Sequence, residues 1–160
     1  MGSPYFISFE KKRGGFVGYL SMESLSNAEI DHNRVIMDAV KVYSVFIRYA
    51  KRKINGLQRE KKQKGFILAR SMWKLGDKIF QLVDDLKAMG LEIDDLYAHL
   101  TRDLNKNKTW LSRVIAFRSH VQYQRDVQKD ARWSRFVESP RKQIELMRKT
   151  AGSEKGRSEY

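Results

Sequence analysis

The sequence predicts a mainly α-helical fold: a helical hairpin and a helix-turn-helix, with a short N-terminal β-hairpin before them and a disordered C-terminal tail after them. Three observations carry this expectation. Two long stretches space their apolar residues alternately four and three apart, the repeat of a helix with one buried stripe. Charged residues make up 32% of the chain against 41% apolar ones, a balance that suits helices with one buried stripe and a charged outer face. Gly14-Gly15, Gly65 and Gly90 punctuate the periodic stretches.

The β-hairpin is expected over 5–21. Tyr5, Ile7 and Phe9 alternate with Phe6, Ser8 and Glu10, and Phe16, Val17, Tyr19 and Leu20 form a second β-prone run. Lys11-Lys12-Arg13-Gly14-Gly15 reads as a five-residue loop with a basic tip. The hairpin either packs on the helices or forms an arm over 1–25 that reaches phosphates or a second subunit. A linker at 22–27 leads into a helical domain over 28–149. In its first helix Ile36, Val40, Tyr43, Ile47, Ala50, Ile54 and Leu57 make the seam; Gly56 weakens the end, and 58–64 with Gly65 mark the turn. The second helix, 66–89, carries Leu68, Met72, Leu75, Ile79, Leu82 and Leu86. Two such seams make an antiparallel hairpin, unless one of them faces another chain.

Gly90 suits the end of that helix. Asp94 and Asp95 fit the first turn of a short helix over 93–104. After Asn105-Lys106-Asn107 a further helix starts at 108 and is expected to run past His120, as far as 136. Ser139-Pro140 reads as a cap and first residue of a last helix to 149. The tail, 150–160, is rich in Gly, Ser and charge and reads as disordered.

The formal net charge is +13, from 32 Lys and Arg against 19 Asp and Glu. Such a surplus draws the chain to polyanions and points to nucleic acid as partner. With no cysteine, disulfides, thiol nucleophiles and cysteine zinc sites are excluded. No apolar run approaches the roughly 20 residues of a membrane span, and the N-terminus lacks a secretory pattern. The expectation is a cytoplasmic, nucleoid-associated protein without membrane contact. His32, His99 and His120 share no metal-ligand spacing and read as surface or packing residues. Adjacent Asp94 and Asp95 do not face each other on a helix. Phosphate-loop, dinucleotide and nucleophile-elbow motifs are absent. No catalytic, cofactor or metal residue is therefore expected, and the chain reads as a non-enzyme. Trp73, Trp110 and Trp133 read as core or half-buried, with Trp110 inside the expected recognition helix.

The segment 94–119 carries the functional expectation. Leu96, Leu100 and Leu104 give the first helix a buried stripe, Asn105 tolerates the left-handed turn, and Asn107 can cap the second helix. Leu111, Ile115 and either Phe117 or Arg118 continue the inner face. Lys108, Thr109, Ser112, Arg113 and Ala116 then face outward, a mixture able to meet base edges, while Lys106 and the helix N-terminus meet phosphate. Lys61, Lys62 and Lys64 form a second phosphate-binding cluster at the expected turn. Basic residues dominate 48–74 and 106–149, and acidic ones dominate 77–103, a segregation typical of a working surface. Two seams and a hairpin offer more apolar surface than one helix pair needs, and helix-turn-helix proteins often read paired half-sites, so a homodimer is expected.

Residues 100–117, LTRDLNKNKTWLSRVIAF, resemble the helix-turn-helix of ParB- and KorB-type partition and repressor proteins, with Asn105 and Asn107 where Gly and Ser are commoner. A wider resemblance over 66–121 is to the helical N-terminal domain of YhcG-type nucleases. MWKLGDKI, LTRDL and WLSRVIAF match that family's pattern at Trp73, Gly76, Ile79, Leu100, Asp103, Leu104 and Phe117. The family joins this module to a C-terminal PD-(D/E)XK nuclease domain. This chain leaves no room for one, so nuclease activity is not carried over. The resulting expectation is a duplex DNA-binding regulator, partition or mobile-element protein; the alternative is a helical RNA-binding or scaffold subunit that positions a separate nuclease or other enzyme.

Overall fold

A computed structural model of the chain describes residues 5–21, 32–138, 140–142 and 144–145. The period-two alternation at the start forms β1 (Tyr5–Lys12) and β2 (Gly15–Leu20), paired antiparallel with Ile7 opposite Leu20 and Lys12 opposite Gly15. Ile7, Phe9 and Leu20 turn inward and are buried. The expected five-residue loop is in fact two residues. Lys11 and Lys12 extend the ladder, and Arg13 (φ 39°) with Gly14 (φ 84°) make the turn. Two successive positive φ values match the right-handed twist of a tight hairpin.

A third strand, β3 (Leu91–Ile93), lies parallel to β1, with Tyr5 opposite Leu91 and Ile7 opposite Ile93. The sheet order is β2-β1-β3, so β1 is central and the hairpin is no detached arm. The strand was not expected. Leu91-Glu92-Ile93 is too short for its alternation to be told from a helix start.

α1 (His32–Lys64) is longer than expected: it runs through Gly56 and through 58–64, the stretch read as a turn. Burial of Ile54 and Leu57 on either side of Gly56 offsets a glycine penalty of about 1 kcal/mol. The chain turns at Gly65 (φ 83°), whose N–H donates to the Lys61 carbonyl at 2.8 Å. α2 (Ala69–Ala88) then returns antiparallel: Lys78 lies over the Tyr49 ring at 5.2 Å, and Ser71 Oγ donates to Glu60 at 3.3 Å. The seam residues from Tyr43 to Leu57 and from Met72 to Leu86 are buried within one chain, while Ile36, Val40 and Leu68 at the seam ends are half-buried.

α3 (Leu96–Leu104) begins later than expected. Asp94 and Asp95 precede it, and Asp95 (φ 55°) is its N-cap, accepting from the Ala98 N–H at 3.1 Å. α4 (Lys108–His120) stops at His120 and does not continue to 136. A 3-10 turn (Gln124–Asp126) and a bridge between Leu68 and Arg132 intervene before α5 (Trp133–Glu138). Residues 140–142 and 144–145 are also helical. The expected linker at 22–27, the cap Ser139 and the tail 150–160 lie outside the described residues. Among the described residues no helix is long and apolar enough to cross a membrane.

The chain divides into two compact units, Met1–Lys51 with Lys78–Leu111, and Arg52–Asp77 with Ser112–Tyr160. The first is organised around the backbone of Phe9. Its N–H donates to His99 Nε2 at 2.9 Å, and its carbonyl accepts from Arg102 Nη2 at 2.7 Å. His99 Nδ1 lies 3.0 Å from the Asp95 carbonyl, which assigns the proton to Nδ1. Arg102 also grips Asp103 with two donors, at 2.9 and 3.0 Å, and the buried Tyr43 hydroxyl donates to the same carboxylate. The Phe9 and Tyr43 rings stack at 4.2 Å. This network ties β1, α1 and α3 together. Burial would raise the Asp103 carboxyl, but the hydrogen bonds from Arg102 and Tyr43 and the Arg102 charge outweigh it and hold it below the usual range. Burial, then its bond to Asp103, pushes the Tyr43 phenol up.

A depressed carboxylate contributes stability above its unfolded pKa, near 3.9, and loses it as pH falls through the lower folded value. Asp103→Asn should therefore cost about 1–3 kcal/mol at pH 7, since Tyr43 and Arg102 lose a charged acceptor. The gap to the wild type, read by urea denaturation, should narrow below about pH 4. A gap unchanged between pH 7 and pH 3 would show that the ionised carboxylate is not the stabilising form.

Candidate nucleic-acid interface

Two short helices and a three-residue turn form the segment singled out in the sequence. Leu100 and Leu104 bury the inner stripe of α3. Asn105 adopts the left-handed conformation (φ 55°, ψ 48°), and its N–H closes on the Thr101 carbonyl. Asn107 Oδ1 accepts from the Trp110 N–H at 2.8 Å, capping α4. Lys106 lies over the half-buried Trp110 ring at 5.3 Å.

Successive residues of α4 turn by about 100°, which separates it into two arcs. Trp110, Leu111, Val114, Ile115, Phe117 and Arg118 occupy one arc, where Leu111, Val114 and Phe117 are buried. Lys108, Thr109, Ser112, Arg113, Ala116, Ser119 and His120 occupy the other. All of these are exposed except Ser112, which is half-buried. Lys106 on the turn is also half-buried. The outward arc holds small or polar side chains and cations, and no carboxylate.

The second unit explains how α4 is held. A Cβ at Gly76 would lie 2.8 Å from Arg118 Cβ and 3.0 Å from the Val114 carbonyl oxygen, so α2 and α4 meet there without a side chain between them. One turn before Gly76, Trp73 Nε1 donates to the Val121 carbonyl at 2.7 Å, just past the end of α4. Arg118 is seated over the Trp73 ring at 5.0 Å and paired with Asp77 at 3.0 Å. Phe117 packs against Trp133 and Phe136, with ring centroids at 5.2 and 4.7 Å. Arg118 therefore lies on the inner arc as an ion-paired anchor.

Lys61, Lys62 and Lys64 do not project from a loop. They are exposed cations on the last turn of α1, where they also complement the helix dipole, and Lys64 lies 3.9 Å from Glu60. Upstream on the same helix, burial and then the neighbouring Lys74 push the Lys53 ammonium below its ordinary value. Among the described residues the second unit carries 16 Lys and Arg against 6 Asp and Glu, and the first 12 against 8. The basic surplus thus concentrates in the second unit.

Reasoning from sequence singled out Trp73 and Gly76 as family-pattern positions and Arg118 as one candidate for the inner face, but it missed Asp77, the contacts that join the four, and the Tyr43–Asp103–Arg102 network. The signal was nonetheless present: Trp73 and Gly76 are three apart on one helix face, and Asp77 follows. Among the described residues no group of three or more His, Asp or Glu side chains could hold a metal ion. No family model, curated protein or solved structure matches the chain.

Helix propensity alone would make Gly76→Ala stabilising by about 1 kcal/mol. The contacts with backbone and Cβ on α4 reverse the sign, and thermal unfolding should show a net loss of about 1 kcal/mol. A raised melting temperature would mean the helices have room at this position.

Replacing Lys61, Lys62 and Lys64 together by Gln should weaken binding to all nucleic acid sequences alike. Each lost phosphate contact should flatten the slope of log K against log salt by about 0.9. A wild-type slope would reduce the three lysines to dipole partners of α1.

Proposed function

We propose that the chain binds nucleic acid, specifically duplex DNA, through the outward arc of α4. The observation that carries this reading is the composition of that arc: Lys108, Thr109, Ser112, Arg113 and Ala116 present short or cationic side chains and no carboxylate. Small side chains let a helix approach base edges closely. Arg reads the paired acceptors of guanine, Ser and Thr adapt to either partner, and Ala meets the thymine methyl. Lys106 and the N-terminal amides of α4 suit a phosphate. The inner arc supports this role, because a reading helix must keep its rotation, and Trp73, Gly76 and Asp77 fix that of α4. The charge surplus of the second unit supplies a sequence-independent attraction to the phosphate backbone. On this reading the chain serves as a DNA-binding regulator, partition or mobile-element protein without catalytic residues of its own.

The test is fluorescence anisotropy with labelled duplex DNA, single-stranded DNA and RNA of equal length over a salt series. Duplex should bind tightest, with log K falling linearly as log salt rises. Tighter binding to RNA would favour an RNA-binding subunit, and no binding to any of the three would overturn the proposal. Once a preferred site is selected from random duplexes, Arg113→Ala should cost about 1–3 kcal/mol on that site and much less on random DNA. An equal loss on both would make Arg113 a phosphate ligand.

A further inference from the structure

The segment after α4 has a feature that the reading helix does not account for. Val121 and Val127 are buried, at 4% and 0% exposure, and both of their carbonyls are captured by side chains from one face of α2. Trp73 Nε1 donates to Val121 at 2.7 Å, and Arg70 Nε donates to Val127 at 2.6 Å. Within this span the Asp126 N–H bonds the Tyr123 carbonyl at 3.1 Å, and the Val127 N–H bonds the Gln124 carbonyl at 2.9 Å. Farther on, two main-chain bonds of 2.8 Å, Ala69 N–H to Ala131 and Trp133 N–H to Ile67, pin the chain again. A connection of this length would ordinarily be held loosely. Here it is fastened at both ends, so what it displays is fixed in place.

What it displays is polar and cationic. Gln122, Tyr123, Arg125 and Gln128 are exposed and Gln124 and Asp126 half-buried, with Lys129 and Asp130 exposed just beyond. Tyr123 is 44% exposed, and the Arg125 guanidinium lies 4.6 Å from its ring centroid. Among the described residues Arg125 has no carboxylate or carbonyl partner. Its side chain lies against the ring, and no described residue accepts from its N–H groups. A guanidinium held in this way loses little further entropy on meeting a phosphate, and the adjacent phenol is a second donor of the kind that contacts DNA backbones.

We propose that the segment 121–128 is a rigid second contact with nucleic acid, in which Arg125 and the Tyr123 hydroxyl grip one backbone phosphate of the duplex that α4 reads. The inference rests on the function proposed above and adds a position-fixing contact outside α4. Phosphate contacts set register and orientation without reading sequence, so the loop contributes affinity equally on every site.

The experiment is anisotropy of the full chain on a duplex of mixed sequence over a salt series, with Arg125→Gln, Arg125→Lys and Tyr123→Phe. Circular dichroism should be unchanged in all three, because both side chains are exposed. Arg125→Gln should bind about tenfold more weakly and lose about 0.9 from the salt slope. Arg125→Lys should keep the slope, and Tyr123→Phe should weaken binding by about threefold without altering it. Wild-type affinity and slope in Arg125→Gln, on a duplex that the unaltered chain binds, would overturn this inference and leave the role of α4 standing. If the unaltered chain bound no duplex, the function itself would fall and the loop contact with it.

Discussion

At Gly76 the absence of a side chain decides how closely two helices can approach. A Cβ there would intrude on Arg118 Cβ at 2.8 Å and on the Val114 carbonyl at 3.0 Å. Because that space is left empty, Trp73 can reach the carbonyl of Val121 and Asp77 can reach Arg118. Three residues within five positions of α2 thus govern the rotation of α4, the place where it stops and the seating of its one inward cation. The outward arc is a consequence: once Val114, Phe117 and Arg118 are committed inward, Thr109, Arg113 and Ala116 have only solvent to face. Interior packing has little freedom to relax around such a contact, so the presented surface inherits the rigidity of the helix pair.

The other unit solves a different problem with polar groups. Its sheet has three strands, and a sheet that small needs support from the helices laid against it. Phe9 supplies it twice over, stacking its ring on Tyr43 while His99 and Arg102 hold its backbone from α3. Asp103 is the group on which the network turns, because it accepts from Tyr43 and Arg102 together. A buried carboxylate left without such partners would be strongly destabilising, whereas here every strong donor near it is used. The two polar residues buried in this unit, His99 and Asp103, thus find their partners in the Phe9 backbone, Tyr43 and Arg102.

The helices were legible because their signal is repeated. Each seam offered six or seven apolar positions at helical spacing, and the seam residues from Tyr43 to Leu57 and from Met72 to Leu86 are buried where the pattern put them. Asn105, Asn107 and Gly90 were legible for a local reason, since each carries a conformational or capping preference that needs no tertiary context. β3 was not legible, because three residues alternate too briefly and its pairing partner lies more than eighty positions away. The polar end of α1 misled in the opposite direction. A run of Lys, Arg and Gln has good helix propensity, but the lack of apolar periodicity made it look like a turn. Arg118 and His99 show the limit of reading by residue type. A cation at an inward position and a histidine with no metal partner became intelligible only when Asp77 and the Phe9 backbone appeared beside them. Trp73, Gly76, Ile79, Leu100, Asp103, Leu104 and Phe117, the positions singled out in the sequence as fitting a family pattern, are residues that pack or anchor these helices. The outward arc of α4 is left to composition and exposure for its reading.

The central claim is that this arc meets duplex DNA, and amide chemical shifts give the most direct view of it. In a titration of isotopically labelled protein with a short duplex of mixed sequence, the largest perturbations should fall on Lys108, Thr109, Ser112, Arg113 and Ala116. The amides of Leu100 and Leu104 on α3 should move little. Perturbations that spared α4 and clustered on the last turn of α1, or that did not appear at all, would contradict the account.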